Sequence, residues 1–380
     1  MQEPNSATGR PPRADADGAD ASPQSLRAAL GALAQQAGFS RLGVARAHPR
    51  PEDLERLQAW LAAGHHGTMA WLERDPERRS DPGRVLAGAR SVLVLALDYD
   101  CDAVRSVDFV GRDGASAPEG HGWISRYALG DDYHEVIERR LAALTDAIAR
   151  QLGPRLSDDF RGPDAPPGPF DPRRDLRGTV DYGPVLERRW AEEAGRGWQG
   201  KHSLLVHPQH GSFFFLATLL TTLTVAPDTP TLDHCGSCSR CIDVCPTAAI
   251  VAPRVVDSRR CISALTIETK GPLSEEQARW VGDHVFGCDL CQDVCPFNRF
   301  SRPSDEPALR PRPGSVGPQL ADLLSLDEAA FAARFAGSPL RRAKLAGVQR
   351  NALAVQANQG RRVTTAGSDS GALDDASADS

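Results

Sequence analysis

Apolar residues recur at helical spacing over Ser25 to Gln36 and Glu52 to Ala63, and the pattern then switches to an unbroken Val and Leu run at Val92 to Leu97. The first two stretches predict amphipathic helices, the third a buried strand. Helical spacing returns from Tyr133 to Leu152 and is lost in a Pro, Gly and Asp-rich segment, Gly153 to about Gly178, which reads as a loop. Val180-Asp181-Tyr182-Gly183-Pro184 has the look of a strand end running into a turn. Val185 to Glu193 is again helical in spacing, while Ser203 to His207 and Ser212 to Thr224 suit strands or buried helix. The alternation predicts a mixed α/β (α+β) domain over residues 24–225.

Ala226-Pro227-Asp228-Thr229-Pro230 then punctuates the chain, and eight of its nine cysteines follow. They predict a small second domain over residues 226–305. A helical segment with a basic cluster, Arg341, Arg342, Lys344 and Arg350, is expected over residues 306–360. The Pro, Ala, Asp and Ser-rich ends, residues 1–23 and 361–380, are expected to be disordered.

Composition narrows the function classes. The longest apolar run, Phe213 to Ala226, is broken by four threonines and falls short of the ~20 residues of a spanning helix. The first residues carry neither a secretory signal nor an arginine pair, so a cytoplasmic, non-membrane protein is expected, with monomer the default. The net charge of −6 leaves nucleic-acid binding to a local basic patch. Nine cysteines in a reducing compartment point to metal or redox chemistry.

Their spacing identifies the chemistry. Cys235-x2-Cys238-x2-Cys241-x3-Cys245-Pro246 is the bacterial ferredoxin run, in which three thiolates hold one cubane and the fourth reaches the other. Cys288-x2-Cys291-x3-Cys295-Pro296 is a partial copy with Val285 at the missing position, and Cys261 is the nearby thiol that can replace it. Crossing over assigns Cys235, Cys238, Cys241 and Cys295 to one [4Fe-4S] cluster and Cys245, Cys261, Cys288 and Cys291 to the other. Structural zinc pairs two short Cys-Cys units and fits this run poorly. Cys101 stands outside the pattern.

The first domain offers no phosphate loop. Gly195-Arg196-Gly197-Trp198-Gln199-Gly200 spells a dinucleotide fingerprint but follows a helical stretch, so it reads as a loop. Asp132-Tyr133-His134 begins a pattern that puts histidine on cobalt, yet Ile137 occupies its glycine position.

Taken together, several stretches resemble the epoxyqueuosine reductases. They are His66-Gly67-Thr68-Met69-Ala70-Trp71, Ser125 to His134, Val180-Asp181 through Leu186-Glu187-Arg188, Gly197 to Ser203, Gly211 to Leu216, Cys261 to Glu268, and Arg350-Asn351. The resemblance runs from about Ser25 to Asn358. Asp131, Ala264 and long loops around Ser106 to Gly122 and Ser157 to Gly178 depart from the family pattern.

The resemblance implies reduction of the epoxide of epoxyqueuosine, at the tRNA wobble position, to the cyclopentene of queuosine. It also implies cobalamin in the first domain, two [4Fe-4S] clusters, and an external low-potential electron donor. It makes Asp181 the acid that protonates the departing oxygen, with a pKa expected to be raised by burial beside the corrin and the base. Arg79, Ser125, Asp181, Leu205, Leu216, Ser263 and Asp289 match cobalamin-contact positions, while Tyr127 and Lys201 could border the nucleotide or merely complete the fold. The basic cluster at Arg341, Arg342, Lys344 and Arg350 becomes the expected tRNA contact. Competing readings are a corrinoid and iron-sulfur reductase of a small molecule, dehalogenase-like, and a non-catalytic electron carrier.

Overall fold

The computed structural model describes residues 22–156, 160–161 and 166–369, so the expected N-terminal tail falls almost wholly outside it. The helix Pro23–Gln36 starts on a capping box: Ser22 accepts from the Ser25 backbone while the Ser25 side chain reaches back. Pro23 sits in the first turn, where an amide hydrogen would have no partner anyway. Leu26, Leu30 and Leu33 recur at helical spacing and face a sheet.

That sheet has four antiparallel strands in the order Arg41–Arg46, Ser91–Asp98, Phe214–Thr221, Leu176–Thr179. Leu93, Leu95 and Leu97 join Phe215, Ala217 and Leu219 on one face, beneath Pro23–Gln36 and the helix Tyr133–Gln151. Val92, Val94, Ala96, Phe214 and Leu220 line the other, beneath Trp190, Ala191 and Ala194 of the helix Glu187–Glu193 and the turn after it. Burial on both faces explains the unbroken apolar run at Val92 to Leu97, with each large side chain contributing roughly 1.5–3 kcal/mol.

The Gly153 to Gly178 stretch is more than a loop. Its end, Leu176–Thr179, pairs with Phe214–Thr221 as an edge strand. Its two central residues are exposed, so no hydrophobic alternation marked it. The strand ends just before Asp181.

The cysteine-rich region carries two matching short helices, Arg240–Asp243 and Leu290–Asp293, packed together. A separate apolar cluster joins Ile124, Val285 and Phe286 to Leu320, Val348, Ala352 and Val355 of the C-terminal helices. The last helix, Lys344–Asp369, continues beyond residue 361, where composition had suggested disorder. Asn358 and Gln359 anchor it through hydrogen bonds to Ala278, Gly282 and His121, and Arg362 pairs with Asp283, long-range contacts that composition does not reveal. Residues 370–380 lie outside the described residues. None of the described helices is long and apolar enough to cross a membrane.

Candidate active site and cluster ligands

All nine cysteines are free thiols. Burial, and then Cys235, Cys295 and Cys238, push the Cys241 thiol up to about 11. Burial with Cys291 and Cys261 raises Cys288 well above the ordinary thiol range, and Cys291 answers to Cys261 and Cys245 in the same way. Cys241, Cys245 and Cys291 pack in one cluster with Ile250 and Val294, which brings thiols of both cysteine runs together. Trp198 donates its indole N–H to the Cys235 sulfur at 3.3 Å, and the Ala249 amide donates to Cys245 at 3.2 Å, the kind of hydrogen bond that tunes a cluster's potential. Among the described residues no three Cys, His, Asp or Glu side chains converge tightly enough to hold a single metal ion, whereas a cubane holds its thiolates farther apart.

The second feature is a carboxylate in a concavity. Asp181 takes a left-handed backbone conformation, φ 51°, which turns the chain sharply after the edge strand. Its side chain is 66% exposed, open to solvent on one side and held by Tyr133 and His134 on the other. Tyr133 donates its hydroxyl to Asp181 Oδ2 at 2.7 Å, and His134 Nε2 lies 3.4 Å from the same oxygen. The opposite ring nitrogen of His134 meets Asp132 at 2.8 Å. Asp132 is also the N-cap of Tyr133–Gln151 and accepts the His134 amide, so one residue both starts the helix and aims the imidazole.

The charges follow from this geometry. Enclosure alone would lower the His134 pKa, but its hydrogen bonds to Asp132 and Asp181 prevail and raise it to about 9. Enclosure would likewise raise Asp181, but hydrogen bonds from His134 and Tyr133 hold it below the usual carboxylate value. The raised pKa expected for Asp181 is thus corrected: its partners outweigh burial. The raised acid is Glu187, driven well up by enclosure and by the charge of Asp181, whose amide donates to Glu187 Oε1 at 3.1 Å. Neither Glu187 nor the carboxylate-paired role of His134 was foreseen. Two carboxylates six positions apart at a turn, competing for one charge, were the available signal.

Aromatic rings wall this space. Tyr133 stacks on Phe215 at 4.2 Å, and Tyr127 lies 6.0 Å from Tyr133 and 6.2 Å from Phe286. Burial, then the charges of Asp181, Glu268 and Asp289, push the Tyr127 hydroxyl well above its ordinary range. Ser125 donates to Asp289, which also accepts from the Trp123 indole at 3.2 Å and the Arg126 amide at 2.7 Å; both residues are buried. Gly287 lets this wall close, because a Cβ there would come within 2.4 Å of the Ser125 Cβ.

Ser263 lies in the helix Ile262–Ile267, one turn ahead of Glu268. Leu205 and Leu216 gather around Val185 in the cluster of the second sheet face, away from the Tyr133 and Phe215 stack. Arg79 is half-buried and reaches the Trp71 carbonyl at 3.5 Å, while its Nε is buried without a partner among the described residues. Lys201 donates to the Gly236 carbonyl at 2.8 Å, tying the first domain to the cluster loop.

The basic cluster divides. Arg342 pairs with Glu268 at 2.8 Å and lies over Trp71 at 5.1 Å, and Arg341 beside it is exposed. Lys344 is exposed. Arg350, by contrast, is spent on the Leu265, Thr269 and Gly271 carbonyls, each within 3.0 Å, and braces a loop.

Comparison with known proteins bears on this arrangement. A 4Fe-4S double cluster binding domain model matches residues 234–298, and the model for epoxyqueuosine reductase QueG, DUF1730, matches residues 79–158. The epoxyqueuosine reductase of Xanthomonas campestris pv. campestris is 40% identical over 84% of this chain and 83% of its own length. The chain belongs to the epoxyqueuosine reductase family. It is therefore an oxidoreductase with a 4Fe-4S double cluster binding domain. The epoxyqueuosine reductase of Salmonella typhimurium is also 40% identical, over 80% of this chain and 73% of its own. Among solved structures, an epoxyqueuosine reductase with an epoxyqueuosine-modified tRNA-Tyr stem loop superposes with TM-score 0.74 at 31% identity, covering 88% of this chain and 81% of the other. The Bacillus subtilis enzyme, described with its catalytic aspartate loop swung out of the active site, gives TM-score 0.73 at 29% identity over 92% of this chain and 86% of its own.

Proposed function

We propose that this chain reduces the epoxide of epoxyqueuosine in the wobble nucleotide of tRNA to the alkene of queuosine, consuming two electrons and two protons and releasing water. The observation that carries the reading is Asp181: an exposed carboxylate held by Tyr133 and His134 beside the Tyr133–Phe215 stack, in a chain that also carries eight cysteines at ferredoxin-type spacing. Relatives named for this reaction, and a neighbour solved with the modified tRNA stem loop, support it.

The thiol sets fit two cubanes, and the cavity residues fit a corrinoid. The Arg79 Nε is buried without a partner among the described residues, a donor suited to the amide or phosphate oxygens of a large ligand. Arg79, Ser125, Asp181, Leu205, Leu216, Ser263 and Asp289 are the residues proposed to hold cobalamin. When bound, cobalamin would supply low-valent cobalt able to reduce a carbon–oxygen bond, with the clusters supplying single electrons.

The chain's own part is to move protons. An oxygen leaving carbon becomes a strongly basic alkoxide, so a positioned acid contributes about 10²- to 10⁴-fold. At neutral pH a proton resides on His134 beside Asp181, and enclosure together with the Asp181 charge favours the protonated form of Glu187. Asp181 relays the His134 proton to the departing oxygen, and Glu187 supplies the second as water forms. Arg341, Arg342 and Lys344 are proposed to neutralise anticodon phosphates while the wobble base is turned into the cavity. Deleting the gene and analysing tRNA nucleosides tests the whole reading: epoxyqueuosine should accumulate, and unchanged queuosine would end it.

A further inference from the structure

Away from Asp181, a surface cavity of about 430 Å³ opens directly onto Cys295. Four arginines line it, Arg105, Arg112, Arg240 and Arg299, against one carboxylate, Asp293. Arg105 is already committed to Asp100 at 3.0 Å. Arg112, Arg240 and Arg299 are exposed and, among the described residues, form no ion pair. Arg299 lies over the ring of Phe300, which is itself 40% exposed. The result is a cationic depression with an apolar lip on a chain whose net charge is −6.

Its position gives the feature meaning. Cys295 is assigned with Cys235, Cys238 and Cys241 to one cluster, whereas Cys261 and Cys288 of the other stand beside Ser263 and Asp289 in the sequence. Between the sets, Cys241, Cys245, Cys291 and Val294 pack together. A reductant seated over Cys295 would therefore face the first cluster, whose Cys241 packs with Cys245 and Cys291 of the second.

We propose that this arginine-lined cavity docks the external electron donor, and that the donor is a small acidic one-electron carrier protein with carboxylates ringing its redox centre. The proposal rests on the cluster reading above. Each encounter moves one electron from the reduced carrier to the cluster at Cys235, Cys238, Cys241 and Cys295. The carrier is oxidised, the cluster is reduced, no proton moves, and two encounters supply one turnover. Opposite surface fields raise association rates by about 10- to 10³-fold at low salt, and the gain disappears as salt rises.

The test uses anaerobic holoenzyme and Arg112→Glu/Arg299→Glu, two exposed changes outside the ligand set. Stopped-flow bleaching of the clusters is followed with dithionite and, separately, with a reduced acidic plant-type ferredoxin. The variant should match wild type with dithionite, react at least about tenfold more slowly with ferredoxin at low salt, and lose the salt dependence that wild type shows. Equal ferredoxin rates and salt slopes would overturn the docking proposal alone, as would weakened tRNA binding at an unchanged ferredoxin rate, which would make this an RNA surface. A wild type that bleaches with neither reductant would bring down the cluster reading, and this proposal with it.

Discussion

His134→Gln isolates the proton store from the carboxylate it serves. The His134 pKa rises from 6.5 to about 9, which at about 1.4 kcal/mol per pH unit is roughly 3 kcal/mol of preference for the imidazolium. With 31% of the side chain exposed, water screens part of this, leaving on the order of 1–2 kcal/mol. Because folding raises this pKa, the stabilisation is fully present below 6.5 and is lost as pH rises through about 9. Wild type should therefore unfold at higher denaturant than His134→Gln under mildly acidic conditions, and the difference should shrink above about 9.

Turnover supplies a second, independent readout. With the imidazolium gone, kcat on epoxyqueuosine-containing tRNA should fall roughly hundredfold, within the range a positioned acid contributes. Wild-type kcat should decline as pH rises through about 9, where His134 loses its proton, and the variant should lack that limb. Iron content and bound cobalamin should be unchanged. A variant with wild-type kcat and the same alkaline limb would refute the assignment of His134 as proton store.

Asp181→Asn should retain both clusters and cobalamin but lose most turnover; full activity would remove Asp181 from its role. Cys261→Ala should cut iron from about eight to about four per chain, read by metal analysis, whereas unchanged iron would exclude Cys261 as a ligand. Arg341→Glu/Arg342→Glu should weaken tRNA binding and flatten its salt dependence, measured by titration at several salt concentrations. Arg350→Ala should instead lower thermal stability by about 1–3 kcal/mol through the orphaned carbonyls, with tRNA affinity little changed.

The cysteine spacing was the most legible feature of the chain, because ligand geometry constrains sequence at fixed short intervals. The long helices and the central strand were legible because packing imposes periodicity over many residues. The edge strand Leu176–Thr179 was not, since a short edge strand with an exposed centre obeys no hydrophobic rule. Asp181 was found by resemblance, and the partners that lower its pKa were not legible because the hydrogen bonds of Tyr133 and His134 arrive through folding. Arg350 shows the same limit: a basic residue in a basic cluster reads as an RNA contact until its carbonyl partners are known.

The most direct test is anaerobic incubation of purified, cluster-loaded protein with cobalamin, a reductant and epoxyqueuosine-containing tRNA, followed by mass analysis of the nucleosides. The account predicts a product lighter than epoxyqueuosine by one oxygen atom, formed only when cobalamin is present. Recovery of unaltered epoxyqueuosine from fully loaded enzyme, or equal conversion without cobalamin, would contradict it.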